Sequence, residues 1–432
     1  MKNGKGELIS VNGDKYYGDF ENDLISGTGI FTYRDGSKYF GQFLNNKKHG
    51  RGQFNFSNGD LYVGYFLNGN LDGLGEYIYR NGNKYFGYFS RNYREGLGCY
   101  LYTNGSAYYG FFKENKRVAL GQLISDKNDT YTGNFREGVI DGLGCMQYSD
   151  GAEYLGQFYY DKRDGKGRLS YANGDLHIGQ FSNDMPNGLG YFKSHKNDQY
   201  SGNFLNGLFH GKGEYISKKG DKYTGDFEND KGNGLALVQF VNGSIYTGEI
   251  KDTTMCGYGE YHSSRNQHIY LGSFLNDLYH GKGQLEFKNG DRYTGMFKHN
   301  KPNGLGEYIS FNENLYVGKF ANGLFHGKGM SKAKGGDTYL GCFSCNIRSG
   351  LGEYTYATGE KYTGSYSNGF MNGFGQCVWK SGEVFVGQWV NDKPVLAANE
   401  INSPELFADN IENKAFITSE SDVTDDDRTF DD

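Results

Sequence analysis

Aromatic residues and glycines alternate with polar residues in short stretches that return at a fixed interval. In residues 62–84, YVGYFLNGNLDGLGEYIYRNGNK, Tyr62, Gly64 and Phe66 lie two apart and so share one face of a strand. A turn signal, LNGN, follows, and then Gly73, Gly75, Tyr77 and Tyr79 alternate in the same way. RNGN brings the chain to the next aromatic, Tyr85. The pattern predicts two short strands per unit. Asn-Gly or Asp-Gly supplies the positive φ that tight hairpin turns require.

The unit recurs seventeen times, anchored at Tyr16, Tyr39, Tyr62, Tyr85, Tyr108, Tyr131, Tyr154, His177, Tyr200, Tyr223, Tyr246, Tyr270, Tyr293, Tyr316, Tyr339, Tyr362 and Phe385. Fifteen of the sixteen intervals are 23 residues, and the step from Tyr246 to Tyr270 is 24. Such a period predicts an array of stacked supersecondary units.

All seventeen anchors keep the central glycine, a gap without a Cβ into which a neighbouring repeat's ring is expected to pack. The Gly-x-Gly pair on the second strand is expected to serve the same purpose. Fourteen of sixteen slots hold both glycines, and the exceptions, Ala119 with Gly121 and Gly234 with Ala236, substitute the next smallest residue. The opposite face, as in Lys38, Phe40 and Gln42, is polar with scattered apolar residues, so one face should pack and the other stay wet.

The expected fold is all-β: an elongated single antiparallel sheet of stacked 23-residue β-hairpins over residues 1–395, curved with its aromatics on the concave side. Residues 396–432 are expected to form an acidic, disordered tail.

Composition agrees with that architecture. The 432 residues include 69 glycines and 17% aromatics but only 4 prolines. A disordered low-complexity chain would be poor in aromatics, so the glycine is architectural. The net charge of -6 conceals an asymmetry, because residues 397–432 hold eleven acidic residues against Lys414 and Arg428. The remainder is close to neutral, which argues against a nucleic-acid partner. The first residues are polar and no apolar run approaches membrane-spanning length, so neither a signal peptide nor a membrane span is expected. Six cysteines without framework spacing fit a reduced, cytoplasmic protein.

The order Tyr-x-Gly-x-Phe, Asn-Gly, His/Asp-Gly-x-Gly, as in YSGNFLNGLFHGKGEY at 200–215, resembles the MORN repeat (membrane occupation and recognition nexus) over about 390 residues. MORN repeats commonly place Trp where this chain has Phe, and only Trp389 follows that habit. His177, Ile250, Tyr366 and Phe385 are further local departures. The resemblance implies an extended scaffold that organises cytoskeletal or membrane-apposed assemblies, such as basal bodies, radial spokes, membrane junctions and apicomplexan division machinery. Dimerisation through repeats and phospholipid binding are both ascribed to the family.

Signatures of chemistry are sparse. Gly-Lys-Gly recurs at Gly165, Gly211, Gly281 and Gly327, but no P-loop, His-Glu-x-x-His or Gly-x-Ser-x-Gly occurs. No enzyme, cofactor or metal is expected. Cys342 and Cys345 form the one Cys-x-x-Cys, without the second pair that a zinc site needs. His49, His210, His280 and His326 precede Gly-x-Gly and alternate with Asp72, Glu95, Asp141, Asp164, Asn187 and Asn303. That exchange fits a hydrogen-bonding turn position better than a ligand row.

Two surfaces remain as candidates. Lys38, Lys84, Lys222, Arg292 and Lys361 directly precede the anchor and form a basic ladder that could meet a partner or anionic headgroups. Glu76, Glu214, Glu307 and Glu353 on the adjacent strand are expected to pair with it. Tyr366, Phe385 and Trp389, where the pattern changes, mark a candidate C-terminal dimer end. The function expected is a self-associating scaffold for protein partners, cytoplasmic and cytoskeleton- or membrane-associated. The alternative is a peripheral protein that binds anionic phospholipid through the ladder. Ser419 and Thr424, set among acidic residues, suit an acidophilic kinase.

Overall fold

The computed structural model describes residues 1–395, which fall into two units, 1–208 and 209 onward. The acidic tail with Ser419 and Thr424 lies outside the described residues. Among those described there are thirty-five strands and no helix.

In the first unit Gly4–Ile9 pairs antiparallel with Lys15–Glu21, which pairs with Leu24–Thr32. Strands of seven and nine residues then alternate in chain order as far as Gln199–Leu205. The second unit repeats the scheme from Lys222–Glu228 against Lys231–Gln239 to Val384–Val390, where Lys393–Pro394 adds a two-residue strand. The expected antiparallel stack of hairpins is therefore what forms. Gly4 and Gly6 reproduce the Gly-x-Gly pair ahead of the first anchor, a half-repeat that counting from the tyrosines misses.

The turn after each seven-residue anchor strand is of the type with both central residues in the left-handed region, as at Asn22 (φ 52°) and Asp23 (φ 70°). The alternate turns are longer, and that of Tyr33–Ser37 places only a glycine there, Gly36 at φ 90°. The second residue of the anchor turns does more than supply φ. Asn46 donates its N–H to the Ile25 carbonyl at 2.9 Å, and its Oδ1 accepts the Ile25 N–H at 2.7 Å. Asn92 grips Leu71, and Asp392 grips Met371, in the same way. Each such turn is thus stapled to the preceding repeat. Asparagine and aspartate satisfy both demands at that position.

A single-layer sheet has little interior, and the chain makes one by laying each anchor tyrosine flat across glycine. Gly41 stands opposite Gly52, and a Cβ added at Gly52 would lie 2.4 Å from the Tyr39 ring. The Tyr39 hydroxyl then donates to the Gln42 carbonyl at 2.9 Å, so the ring is fully buried with its polar end satisfied. Phe43 meets that ring edge-on at 5.0 Å, and Phe66 of the next repeat meets it at 4.9 Å. Such edge-to-face pairs each contribute about 1 kcal/mol beyond area burial.

The glycine gap is therefore filled by the repeat's own tyrosine. The neighbouring repeat contributes its phenylalanine at the ring edge and does not enter the gap, contrary to the reading from spacing. The reason is reach: the ring lies back over the glycine two residues on and over its cross-strand partner.

Candidate functional site

The two glycines of Gly-x-Gly prove to have different causes. Between the pairs Gly41/Gly52 and Phe43/Lys48, the residues His49, Gly50 and Arg51 face Gln42 alone, which is a bulge. Gly50 sits there at φ 66°, and the Gln42 side chain reaches the Arg51 N–H at 2.9 Å. The first glycine is thus required by backbone conformation and the second by the tyrosine ring. Ala119 occupies the first slot at φ 53°, and Ala236 occupies the second, opposite Gly225.

The His/Asp/Asn row falls in this bulge, one residue before the left-handed glycine. Its carboxylates accept hydrogen bonds from the next turn: Glu95 from the Glu114 N–H at 3.0 Å, Asp164 from the Asn183 N–H at 3.3 Å. Asn233 does the same for Asp252 at 3.1 Å. At these acidic and amide members the position is a structural hydrogen-bonding one, whereas Nδ1 of His49 and of His280 is buried without a partner. No group of three or more His, Cys, Asp or Glu that could hold a metal occurs among the described residues. All six cysteines are free. Cys345 is exposed in a hairpin turn at φ 50°, while Cys342 lies half-buried in the strand before it.

The residues of the basic ladder all lie on the wet face. Lys38, Lys84, Arg292 and Lys361 are exposed and Lys222 is half-buried. The structure pairs two of them diagonally across strands: Lys222 with Glu214 and Lys361 with Glu353, both at 2.8 Å. Arg292 stands directly opposite Glu286 in the ladder. The same face carries aromatic side chains that a polar reading undervalues, above all Phe86 and Tyr88, each more than half exposed. In the second unit a hollow of about 440 Å³ on this face is lined by Leu235, Leu237, Tyr258, Leu271 and Glu260.

At the C-terminal repeats, Tyr366 and Trp389 are buried in the column as substitutes for phenylalanine. Tyr366 packs on Tyr339, and Trp389 on Tyr362, each at 5.0 Å. Phe385 lies over its own Gly387 as an anchor and is half-buried. Of the three residues of the candidate dimer end, only Phe385 keeps appreciable surface.

Burial sets the chemistry of the column. It pushes the Tyr16 hydroxyl up to about 12 and holds His177, an anchor 1% exposed, down to about 4. The one-residue insertion turns inward: His268 is buried and its Nε2 lies 2.8 Å from the Tyr279 hydroxyl.

Fifteen segments match the model of the MORN repeat, from residues 16–38 to residues 362–384, well over half of the chain. The chain belongs to the MORN repeat family. The segment 108–130, which contains Ala119, falls between two of those matches. No curated protein matches the sequence. Among solved structures, the TCP domain of Drosophila melanogaster SAS-4 (dCPAP), in complex with a proline-rich motif of Ana2, is 16% identical. That likeness has a TM-score of 0.22 and covers 41% of this chain and 90% of the domain. The TCP10 domain of Danio rerio CPAP is 9% identical, with a TM-score of 0.19, over 57% of this chain and 94% of that one. A streptogramin B lyase is 12% identical, with a TM-score of 0.12, over 68% and 90%. Likeness at these scores carries no inference about partners.

Proposed function

We propose that this MORN-repeat chain is a non-enzymatic scaffold that binds protein partners in cytoskeletal or membrane-apposed assemblies and self-associates as a homodimer. One observation carries the reading. Glycine, tyrosine and turn positions are fixed by the frame, while the outward positions two residues apart vary from repeat to repeat. Such a frame presents many small contact sets in a constant register, and avidity across repeats supplies affinity. No helix among the described residues is long and apolar enough to cross a membrane.

Imaging of a tagged copy at endogenous level, before and after non-ionic detergent, tests the assignment. A discrete cytoskeletal signal that survives detergent is expected. Loss of signal with the detergent phase would overturn it. Monomer mass by light scattering at high micromolar concentration would remove the dimer.

The second reading, binding of anionic phospholipid, is favoured by the exposed Lys38, Lys84 and Arg292. The Lys222–Glu214 and Lys361–Glu353 pairs weigh against it, since they neutralise two rungs. Co-sedimentation with phosphatidylserine vesicles that falls with added salt, and falls again on charge reversal of Lys38 and Lys84, is what that reading requires.

A further inference from the structure

Three consecutive hairpins carry large apolar side chains at both outward positions around the anchor glycine: Val63 with Tyr65, Phe86 with Tyr88, and Tyr109 with Phe111. In the other anchors the second of these positions is Asp, Gln, Asn, Glu, Ser, Met, Lys or Cys. The intervening strands complete the patch. Leu74 stands directly opposite Tyr88, and Leu97 directly opposite Phe111. Phe86 is 56% exposed, Leu97 57% and Phe111 45%, so the patch is continuous and open. Solvated sheet faces seldom hold so much contiguous aromatic surface without a partner.

Basic charges outnumber acidic ones around the patch. Arg51, Lys84 and Lys113 stand on the same face, against Glu76 between Val63 and Phe86. Arg51 is already positioned, its Nε donating to the Tyr65 hydroxyl at 2.8 Å with the guanidinium 5.2 Å from the ring centre. Alternate side chains of an extended peptide lie about 7 Å apart. Phe86 and Tyr88, and likewise Tyr109 and Phe111, are themselves alternate residues of one strand, so their side chains leave the backbone at that spacing.

We propose that the outward face of residues 61–120 docks an extended acidic segment of a protein partner. Its aromatic or aliphatic side chains lie on Phe86, Tyr88 and Phe111, and its carboxylates meet Arg51, Lys84 and Lys113. The proposal deepens the scaffold reading and rests on it only in that the partner is a protein.

The test is direct titration of the full-length chain with a labelled synthetic peptide alternating Glu or Asp with Phe and Leu. Its counterpart with Lys in place of the acids is the control. Saturable binding of the acidic peptide is expected, weakened about tenfold by Phe86→Ser with Phe111→Ser. Lys84→Glu with Lys113→Glu, which leaves the rings in place, should weaken it as well and flatten its salt dependence. These side chains are exposed, so unchanged far-ultraviolet dichroism will confirm that the variants fold. Equal binding of the lysine peptide, or indifference to both double variants, overturns the proposal. Binding to phosphatidylserine vesicles but to neither peptide overturns it in favour of a membrane. Binding that emerges only when residues 397–432 are removed overturns it in favour of the chain's own acidic segment. A negative result with detergent-resistant localisation intact would leave the scaffold reading standing.

Discussion

Ala236 stands opposite Gly225 in the slot that is glycine beneath the other tyrosine rings, and Tyr223 is the anchor tyrosine whose buried hydroxyl has no hydrogen-bond partner. Its counterparts, such as Tyr200 and Tyr246, donate to the carbonyl three residues on at 2.9 and 2.6 Å. One methyl group thus separates the two arrangements. A buried polar group left unpaired costs about 1–3 kcal/mol, against about 0.5–1 kcal/mol for glycine in a strand. Ala236→Gly is therefore expected to raise the denaturation midpoint. Gly52→Ala, in an intact repeat where the Cβ would meet the Tyr39 ring at 2.4 Å, should lower stability by about 2–4 kcal/mol. A rise on Gly52→Ala would refute the packing account.

Ala119 tests the other glycine role, because it holds φ 53° where the equivalent bulge positions are glycine at, for example, 66°. Left-handed backbone is unfavourable for alanine by about 1–2 kcal/mol. Ala119→Gly should recover about 1 kcal/mol in chemical denaturation, and Ala119→Val should lose more than that, since a branched side chain tolerates this φ least. If neither moves the midpoint, the bulge is not held at that geometry in solution.

These two alanines also mark how far the sequence could be read. Both substitute the next smallest residue for glycine and so look like one steric rule. Only the backbone shows that one slot constrains φ and the other constrains volume. Period, hairpin turns, the packed and wet faces and the family were all legible in Tyr39, Gly41, Phe43 and their equivalents, because each position recurs under the same physical demand. The second turn residue was half legible: Asn46 was readable as a positive-φ residue, but its grip on Ile25, twenty-one residues earlier, needs the stacking in space. The exposed rings of Phe86, Tyr88 and Phe111 were lost to a count of polar residues on the wet face, since composition averaged over seventeen repeats hides three adjacent ones.

The ladder pairs Lys222–Glu214 and Lys361–Glu353 are both more than a third exposed on each partner. Exposed pairs of this kind are worth less than about 1 kcal/mol and weaken with salt. Lys222→Ala and Lys361→Ala should each change stability by under about 0.5 kcal/mol. A larger loss would mean that these lysines also hold the strand register.

Tyr366 fills a phenylalanine position, and its hydroxyl is buried without a partner. Burial pushes its ionisation far above the usual phenol range, so the group stays neutral and simply lacks a hydrogen bond. Removing the oxygen keeps the 5.0 Å contact to Tyr339. Tyr366→Phe is expected to stabilise the C-terminal repeats by about 1 kcal/mol, read as slower amide exchange around residues 339–378. Faster exchange there would show that the hydroxyl has a partner in solution.

His177 is the one anchor with an imidazole, a group that the unfolded chain protonates just below neutral pH. It lies over glycine between Phe181 at 5.1 Å and Phe204 at 4.6 Å, and neither ring nitrogen has a hydrogen-bond partner. Burial lowers its pKa from an ordinary 6.5 to about 4, so the folded state favours the neutral ring and the unfolded state binds the proton more readily. The sign follows. The contribution of this repeat is complete above about pH 6.5 and is lost as pH falls towards 4, reaching about 3 kcal/mol from the size of the shift. Thermal midpoints should therefore fall between pH 6.5 and 4 by more in the native chain than in His177→Tyr. That variant restores the anchor hydroxyl and should also be the more stable at pH 7, because the added oxygen can reach the Gln180 carbonyl as Tyr154 reaches that of Gln157. Parallel pH profiles for the two proteins would mean that the imidazole is hydrated in solution and that the column opens at this repeat.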